Sequence, residues 1–481
     1  MKKIIYFIYI IVFLTGCSYH ISKKDVVKKR TDMNISDDMV NNSEDKLQNN
    51  YKKENIQIAI DKNLILDNLN NICICPRKFG TDGEITALNF LKNKLEEYGY
   101  ITDIQNFQVY KLDMKSTYVK YNVDYFKSNP YNSESLGTGR NLIGKMDNHE
   151  NTKKTILLTA HYDTTADTIG AIDNGTGVSV ILEVARQLRK YDSTLNIEIV
   201  LFSAEEYFRA GSRAFVSSLS DDEKKNIIGC INVDMVGEKG AENFVIKANT
   251  GEHNILTLMM SDQLDKPLPI LAAGNSDDLS FYLNKIPAVT LANKKPDPSR
   301  SKQKNQFQYI NIDELENVVY LIANFIINFD IDKYNKFLTT KTFASNKTID
   351  DHYNIGNPVN TRIIDEFEIK KINSNLQENG YDSQTEYVYE RADGKMCIIT
   401  QKNSTFINPS VYSKYKILNS KKSGQGIDCF YFINEDITSD TKVYYLINSY
   451  YGEIKGNIST NEALDILKSC YEKMYNSIFG K

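Results

Sequence analysis

Two kinds of hydrophobic spacing divide the chain. Residues 155–163, 201–206 and 227–234 are short runs of apolar or β-branched residues, each ending in a side chain able to bind metal. Runs of that kind, set between helical stretches, read as parallel strands buried on both faces. Helical spacing marks 86–98, closed by Gly99 as a C-cap, and 178–188, with Leu182 and Ala185 on one face. It returns at 210–219 and at 313–327, where Leu315, Val318, Val319, Leu321, Ile322 and Phe325 form the apolar stripe. A further helix is expected around Ile60, Leu64 and Leu69, a strand at 101–109, and an approach to the strand at Thr155 from 141–144. Strands alternating with helices predict an α/β fold, a three-layer sandwich with a mostly parallel sheet.

Beyond about residue 335 the spacing changes. Residues 385–391, 396–401, 428–433 and 441–449 alternate with period two, as antiparallel strands do, and 461–474 reads as a closing helix. This predicts a small C-terminal α+β domain without a catalytic constellation. The expected organisation is 1–16 as signal peptide, 17–55 as a tether, 56–335 as the α/β domain and 336–481 as the accessory domain.

The first residues bear on the compartment. Lys2 and Lys3 precede an apolar stretch, 4–14, that is short for a bilayer span. Leu14-Thr15-Gly16-Cys17 then resembles a bacterial lipobox, which implies cleavage before Cys17 and a diacylglycerol on its thiol. At about 0.8 kcal/mol per buried methylene, a multiply acylated Cys17 would hold the protein to the extracytoplasmic face of the cell membrane. An ordinary signal peptide with an incidental cysteine is the plainer alternative. Residues 18–54, rich in Lys, Asp, Asn and Ser, read as a solvated tether. A formal net charge of -4 gives no electrostatic case for nucleic acid. The other six cysteines, Cys73, Cys75, Cys230, Cys397, Cys429 and Cys470, contain no CxxC pair, which argues against a cysteine zinc site. A disulfide from Cys397 to Cys429 or Cys470 stays open.

Open α/β sheets bind ligands outside the carboxyl ends of their strands. His161, Glu205, Glu206 and Asp234 are therefore expected to face one crevice, joined by Asp173 from the polar, glycine-bearing turn 171–177. A two-zinc site needs nitrogen and oxygen ligands and one carboxylate shared between the ions. His161 offers an imidazole, and Asp163 is placed to accept its other ring N–H and fix the tautomer. Asp173 can bridge two ions, Glu206 and Asp234 can each supply an outer ligand, and Glu205 can act as general base on a bound water. Taken singly these motifs are ordinary: His-x-Asp is often a surface pair, Asp-Asn-Gly a turn, and paired glutamates a helix start. Their order and their placement at strand ends point together to a metal-dependent hydrolase.

The same residues resemble the di-zinc aminopeptidase family, which includes bacterial leucyl aminopeptidases and the related glutaminyl cyclases, over about residues 60–328. The likeness rests on Pro76-Arg77, Gly80-Thr81, Gly99-Tyr100, His161-Tyr162-Asp163, Asp173-Asn174-Gly175-Thr176-Gly177, Glu205-Glu206 with Gly211-Ser212, and Asn232-Val233-Asp234-Met235. Ser276-Asp277-Asp278 and Ile286-Pro287-Ala288 also fit. The resemblance implies one Zn2+ on His161, Asp173 and Asp234, a second on Asp173 and Glu206, Glu205 as base, Asp163 behind His161, and a cis peptide at 173–174. The sequence departs from the pattern at Ser301, which stands where the family's last histidine ligand would, amid Arg300, Lys302 and Lys304. That loss should weaken the second site, unless His253 or His352 is recruited. The expected protein is a surface lipoprotein, a zinc-dependent aminopeptidase-like hydrolase that removes N-terminal residues from a peptide substrate. The rival is a non-catalytic relative that binds peptide or a protein partner. A cyclase reading is disfavoured because those enzymes lean on Trp and this chain has none.

Overall fold

The computed structural model describes residues 58–111, 134–146, 154–191, 193–241, 244–264, 270–272, 276–293, 306–340, 342–344, 359, 363–376, 380–403, 416–419, 429–434, 436, 438–447 and 450–479. Cys17, Ser301 with its basic neighbours, and His352 lie outside these residues.

Helices α1 (Lys62–Ile72) and α2 (Asp82–Glu97) lead into strands β1 (Ile101–Tyr110), β2 (Ser135–Met146) and β3 (Thr155–His161). Then follow α3 (Gly177–Leu188), β4 (Asn196–Phe202), α4 (Ala210–Ser218), α5 (Asp221–Asn226) and β5 (Ile227–Val233). The remainder of this part is β6 (Phe244–Ala248), α6 (Ile255–Gln263), β7 (Ile270–Ala272), α7 (Asp278–Tyr282), β8 (Ala288–Asn293), α8 (Ile312–Ile327) and α9 (Ile331–Thr340). The eight strands form one sheet in the order β1-β2-β4-β3-β5-β8-β6-β7. Its centre is parallel: β4, β3, β5 and β8 run side by side in one direction, and β1, β2 and β6 join antiparallel.

The central strands are uniformly apolar because each serves two cores. Ile156, Leu158, Ala160, Ile197, Ile199, Leu201, Ile231 and Val233 face one cluster with α1, α2, α3, α6 and α8. Leu157, Val200, Phe202 and Cys230 face the other, packed with Phe215 of α4 and Phe281 of α7. This is the expected α/β sandwich with a mostly parallel sheet. α3 is buried nearly all round because it lies between the sheet and the helices α1 and α8. Leu182, fully buried at its middle, is expected to cost about 2–5 kcal/mol on truncation to Ala. Urea unfolding of Leu182→Ala beside wild type measures this.

Some elements differ from the expected spans. α2 begins at Asp82 rather than 86, because Thr81 caps it by accepting a hydrogen bond from the Glu84 amide at 3.4 Å. α5, β6, α6 and β7 were not among the expected elements.

The second sheet contains nine strands among the described residues, all paired antiparallel: β9 (Thr342–Ala344), β10 (Ile363–Ile364), β11 (Phe367–Leu376), β12 (Ser383–Glu390), β13 (Met396–Asn403), β14 (Lys416–Asn419), β15 (Cys429–Ile433), β16 (Thr441–Ile447) and β17 (Tyr450–Gly456). Helix α10 (Thr460–Phe479) covers its apolar face with Ala463, Ile466, Leu467, Cys470 and Met474. Alternating burial along β12 gives the period-two pattern seen in the sequence. The cysteines at 73, 230, 397, 429 and 470 are free thiols. Among the described residues no helix is long and apolar enough to cross a membrane.

Candidate metal centre

Strand ends create the centre. β3 finishes at His161, β5 finishes one residue before Asp234, and the turn Ala171–Thr176 carries Asp173 between them. Asn174 fastens that turn to the end of β5: its amide donates to the Val233 carbonyl at 2.8 Å, and its side-chain oxygen accepts from Met235 N at 3.2 Å. The peptide between Asp173 and Asn174 is cis. His161 Nε2 lies 3.3 Å from Asp173 Oδ1 and 3.5 Å from Asp234 Oδ1. Two ligands about 2.1 Å from a tetrahedral zinc would stand roughly 3.4 Å apart. The donor set therefore fits zinc in spacing as well as chemistry, and the ligand atoms of all three residues lie within 4.8 Å of one another. Asp234 Oδ1 is buried without a hydrogen-bond partner, which a cation would satisfy.

The other predicted residues gather around this triad. Asp163 Oδ1 is 3.4 Å from His161 Nδ1, on the side of the ring away from Asp173 and Asp234. That oxygen also accepts from the Glu205 backbone N–H at 3.0 Å, so one carboxylate orients the imidazole and fixes the turn after β4. The turn is tight: Ala204, Phe208 and Arg209 all have φ near +58°, a region costly for side chains and common at functional sites. Glu206, solvent-exposed, lies within electrostatic reach of Asp173.

Crowded carboxylates shape the electrostatics. Burial pushes Glu205 well above the usual carboxylate range, and Asp277, Asp234 and Asp163 add to it against the opposing pull of His161. Partial desolvation by the protein around it and the Asp173 charge push Glu206, though its side chain reaches solvent, up to about 7. Burial alone would lower the His161 pKa, but Asp163, Asp173 and Asp234 outweigh it and hold it well above the ordinary value. His161 and Ser276 likewise overcome burial at Asp234 and keep it low. A cation would relieve this repulsion.

Several supporting residues were not foreseen as part of the site. Ser276 donates to Asp234 Oδ2 at 2.7 Å and accepts from Asn232 at 2.7 Å. Glu84 is buried within electrostatic reach of Asp163: it accepts from Arg140 at 2.8 Å, from Gly80 N at 2.7 Å and from Ser203 at 2.5 Å. Asn141 accepts from Ser203 N at 3.1 Å and donates to the Gly211 carbonyl at 2.9 Å, where a Cβ on Gly211 would run into the Ser203 carbonyl. Glu84 had a signal, since Thr81-x-x-Glu84 is a capping-box spacing that also explains it as mere helix start. His253, one of the alternative ligands, sits instead against Thr257 at 3.1 Å, and belongs to no three-residue metal-capable group among the described residues. A shallow depression lined by Lys145, Glu198 and Glu223 lies at the opposite, amino-terminal ends of β3 and β4, away from these acids.

A mostly parallel sheet with an imidazole and acids converging at the carboxyl ends of its strands defines an α/β domain with a metal-capable centre. Residues 141–326, which contain that centre, match peptidase family M28. Residues 1–18 match the prokaryotic membrane lipoprotein lipid attachment site. The aminopeptidase YwaD of Bacillus subtilis is 35% identical over 153 residues, 30% of this chain and 33% of that protein. The leupeptin-inactivating enzyme 1 of Streptomyces exfoliatus is 26% identical over 171 residues, 35% of this chain and 33% of its own length. The alkaline phosphatase isozyme conversion protein of Escherichia coli is 28% identical over 180 residues, 34% of this chain and 48% of its own. The chain thus spans about a third to a half of the length of these curated relatives. Among solved structures, the aminopeptidase of Aneurinibacillus sp. strain AM-1 aligns with a TM-score of 0.49 at 20% identity, covering 56% of this chain and 93% of that one. The likeness to peptidases thus lies in residues 141–326, and that to lipoproteins in residues 1–18.

Proposed function

We propose that this protein is a zinc aminopeptidase, lipid-anchored through Cys17 at the extracytoplasmic face of a bacterial membrane, which removes N-terminal residues from peptides. The observation that carries the reading is the spacing of His161, Asp173 and Asp234, set for one tetrahedral cation. In this reading those three residues would hold one zinc, and Asp173 with Glu206 would hold a second more weakly, since the sequence carries Ser301 where the family's last histidine is expected. Bound there, zinc would polarise the scissile carbonyl and acidify a water molecule. Glu205 would serve as the general base, taking a proton from the attacking water and passing it to the leaving amine. Asp163 holds the His161 ring so that Nε2 faces Asp173 and Asp234. The carboxylates lining the centre are also suited to a cationic peptide N-terminus.

Metal removal tests this. Purified full-length protein should retain about one zinc after dialysis and release nitroaniline from aminoacyl-nitroanilides, because structural features favour one strong site. Chelation should abolish turnover, and zinc should restore it. Protein that binds no zinc and releases no nitroaniline would overturn the reading in favour of a non-catalytic peptide binder.

A further inference from the structure

We infer that the C-terminal sheet domain is a fixed support for the segment that orients the metal centre, locked in place by the buried carboxylate of Asp382, which acts as a positioning residue. The inference rests on the zinc reading above and assigns a role to the second sheet.

Asp382 stands immediately before β12 and is 1% exposed. Lys402 of β13 pairs with it at 2.7 Å from its own side of the seam. Its remaining side-chain donors come from the other domain: Thr250, just after β6, at 3.0 Å, and the hydroxyl of Tyr282, the last residue of α7, at 3.3 Å. Thr385 of β12 hydrogen-bonds the buried Glu252 across the same seam, and the rings of Tyr282 and Tyr381 lie 5.9 Å apart. A buried polar network of this kind is satisfied in one geometry and penalised in others. Two sheet domains joined by a flexible hinge would have no need of it.

What the seam grips is the short segment that serves the centre. Asn249, beside Thr250, donates to Asp278 of α7 at 2.8 Å, and Ser280 of α7 meets Ser212 of α4 at 2.8 Å. Six residues before Tyr282 is Ser276, whose hydroxyl donates to Asp234 Oδ2. At about 1.5 Å of rise per helical residue, Asp382 anchors a lever only roughly 9 Å long whose other end orients a proposed zinc ligand. Asp277, on the same lever, is buried within electrostatic reach of Glu205. Groups that orient metal ligands commonly change affinity by about 10–100-fold when removed.

The test uses the full-length chain with Thr250→Val and Tyr282→Phe combined, which removes both cross-domain donors and leaves the Lys402 pair intact. Zinc affinity, from competition with a chromophoric chelator, should fall about 10–100-fold. Amide exchange at Leu279, Ser280 and Leu283 should accelerate, whereas Thr250→Ser, which keeps the hydroxyl, should behave as wild type. Arg391→Ala breaks the pairing of Arg391 with Glu462 inside the second domain, at 2.9 Å and away from the seam. It should leave zinc affinity unchanged. Unchanged affinity and exchange in the double variant overturn the inference, as does an equal loss of affinity in Arg391→Ala. If wild type binds no zinc, the functional reading fails on its own. Exchange at 279–283 then decides the seam: acceleration upholds the support by Asp382, and no change overturns it.

Discussion

Glu205→Gln is expected to lower the kcat for aminoacyl-nitroanilide hydrolysis by about 10²–10⁴-fold, the usual worth of a positioned general base. The substitution isolates the proton transfer because it keeps nearly everything else. Glutamine has the shape of glutamate, and the contact fixing this residue is its backbone N–H to Asp163, which a side-chain change leaves in place. Glu205 lies outside the triad of His161, Asp173 and Asp234, so zinc content should stay at the wild-type level. KM should move little, since a lost transition-state interaction appears in kcat and kcat/KM together. A thousandfold loss corresponds to about 4 kcal/mol of barrier. Steady-state kinetics with parallel metal analysis distinguishes the outcomes. Wild-type turnover would remove Glu205 from the mechanism, and loss of zinc along with turnover would make it a ligand or a support instead.

The residues of the centre were readable because a parallel strand buried on both faces is a conspicuous object in sequence. An unbroken apolar run must stop where it meets the crevice, and in β3 and β5 it stops at His161 and just before Asp234. The supporting groups were harder. Ser276 and Asn141 are polar residues whose roles exist only through partners 42 and 62 positions away. β6 and β7 leave no such signal, for a different reason. They are short, five and three residues, and leave too few positions for a period to emerge. In the second sheet, β12 shows clean alternation of burial, and β16 alternates over its first five residues before ending in the buried run 445–447. β17 does not, because Gly452 and Gly456 replace side chains where the backbone of β13 comes close, at Thr400 and Met396.

Arg77 is a residue whose full importance emerges only from its surroundings, and Arg77→Met should be the most destabilising of these substitutions. Its guanidinium is completely buried yet its hydrogen bonds run to backbone carbonyls, those of Ile72, Tyr162, Ile169 and Gly170. Tyr162 and Gly170 bracket the loop that carries Asp163, so one side chain draws together the end of α1 and both ends of that loop. Methionine fills much of the volume and supplies no donor. The Gly170 carbonyl keeps the bond from Gly175 N at 2.9 Å, but each other buried carbonyl left without a partner costs about 1–3 kcal/mol, so a loss of about 4 kcal/mol is expected after partial relaxation. For a domain of this size that lowers Tm by roughly 10 °C. Lysine should not rescue it, because a single ammonium lacks the planar fork that reaches several carbonyls in different directions. The zinc site should suffer with the fold: a slackened 162–170 loop releases Asp163 from both the His161 ring and the Glu205 amide. Calorimetry and zinc content of Arg77→Met and Arg77→Lys, measured beside wild type, test both halves of this claim. A variant that melts like wild type and keeps its zinc would show that the loop holds its shape without the guanidinium.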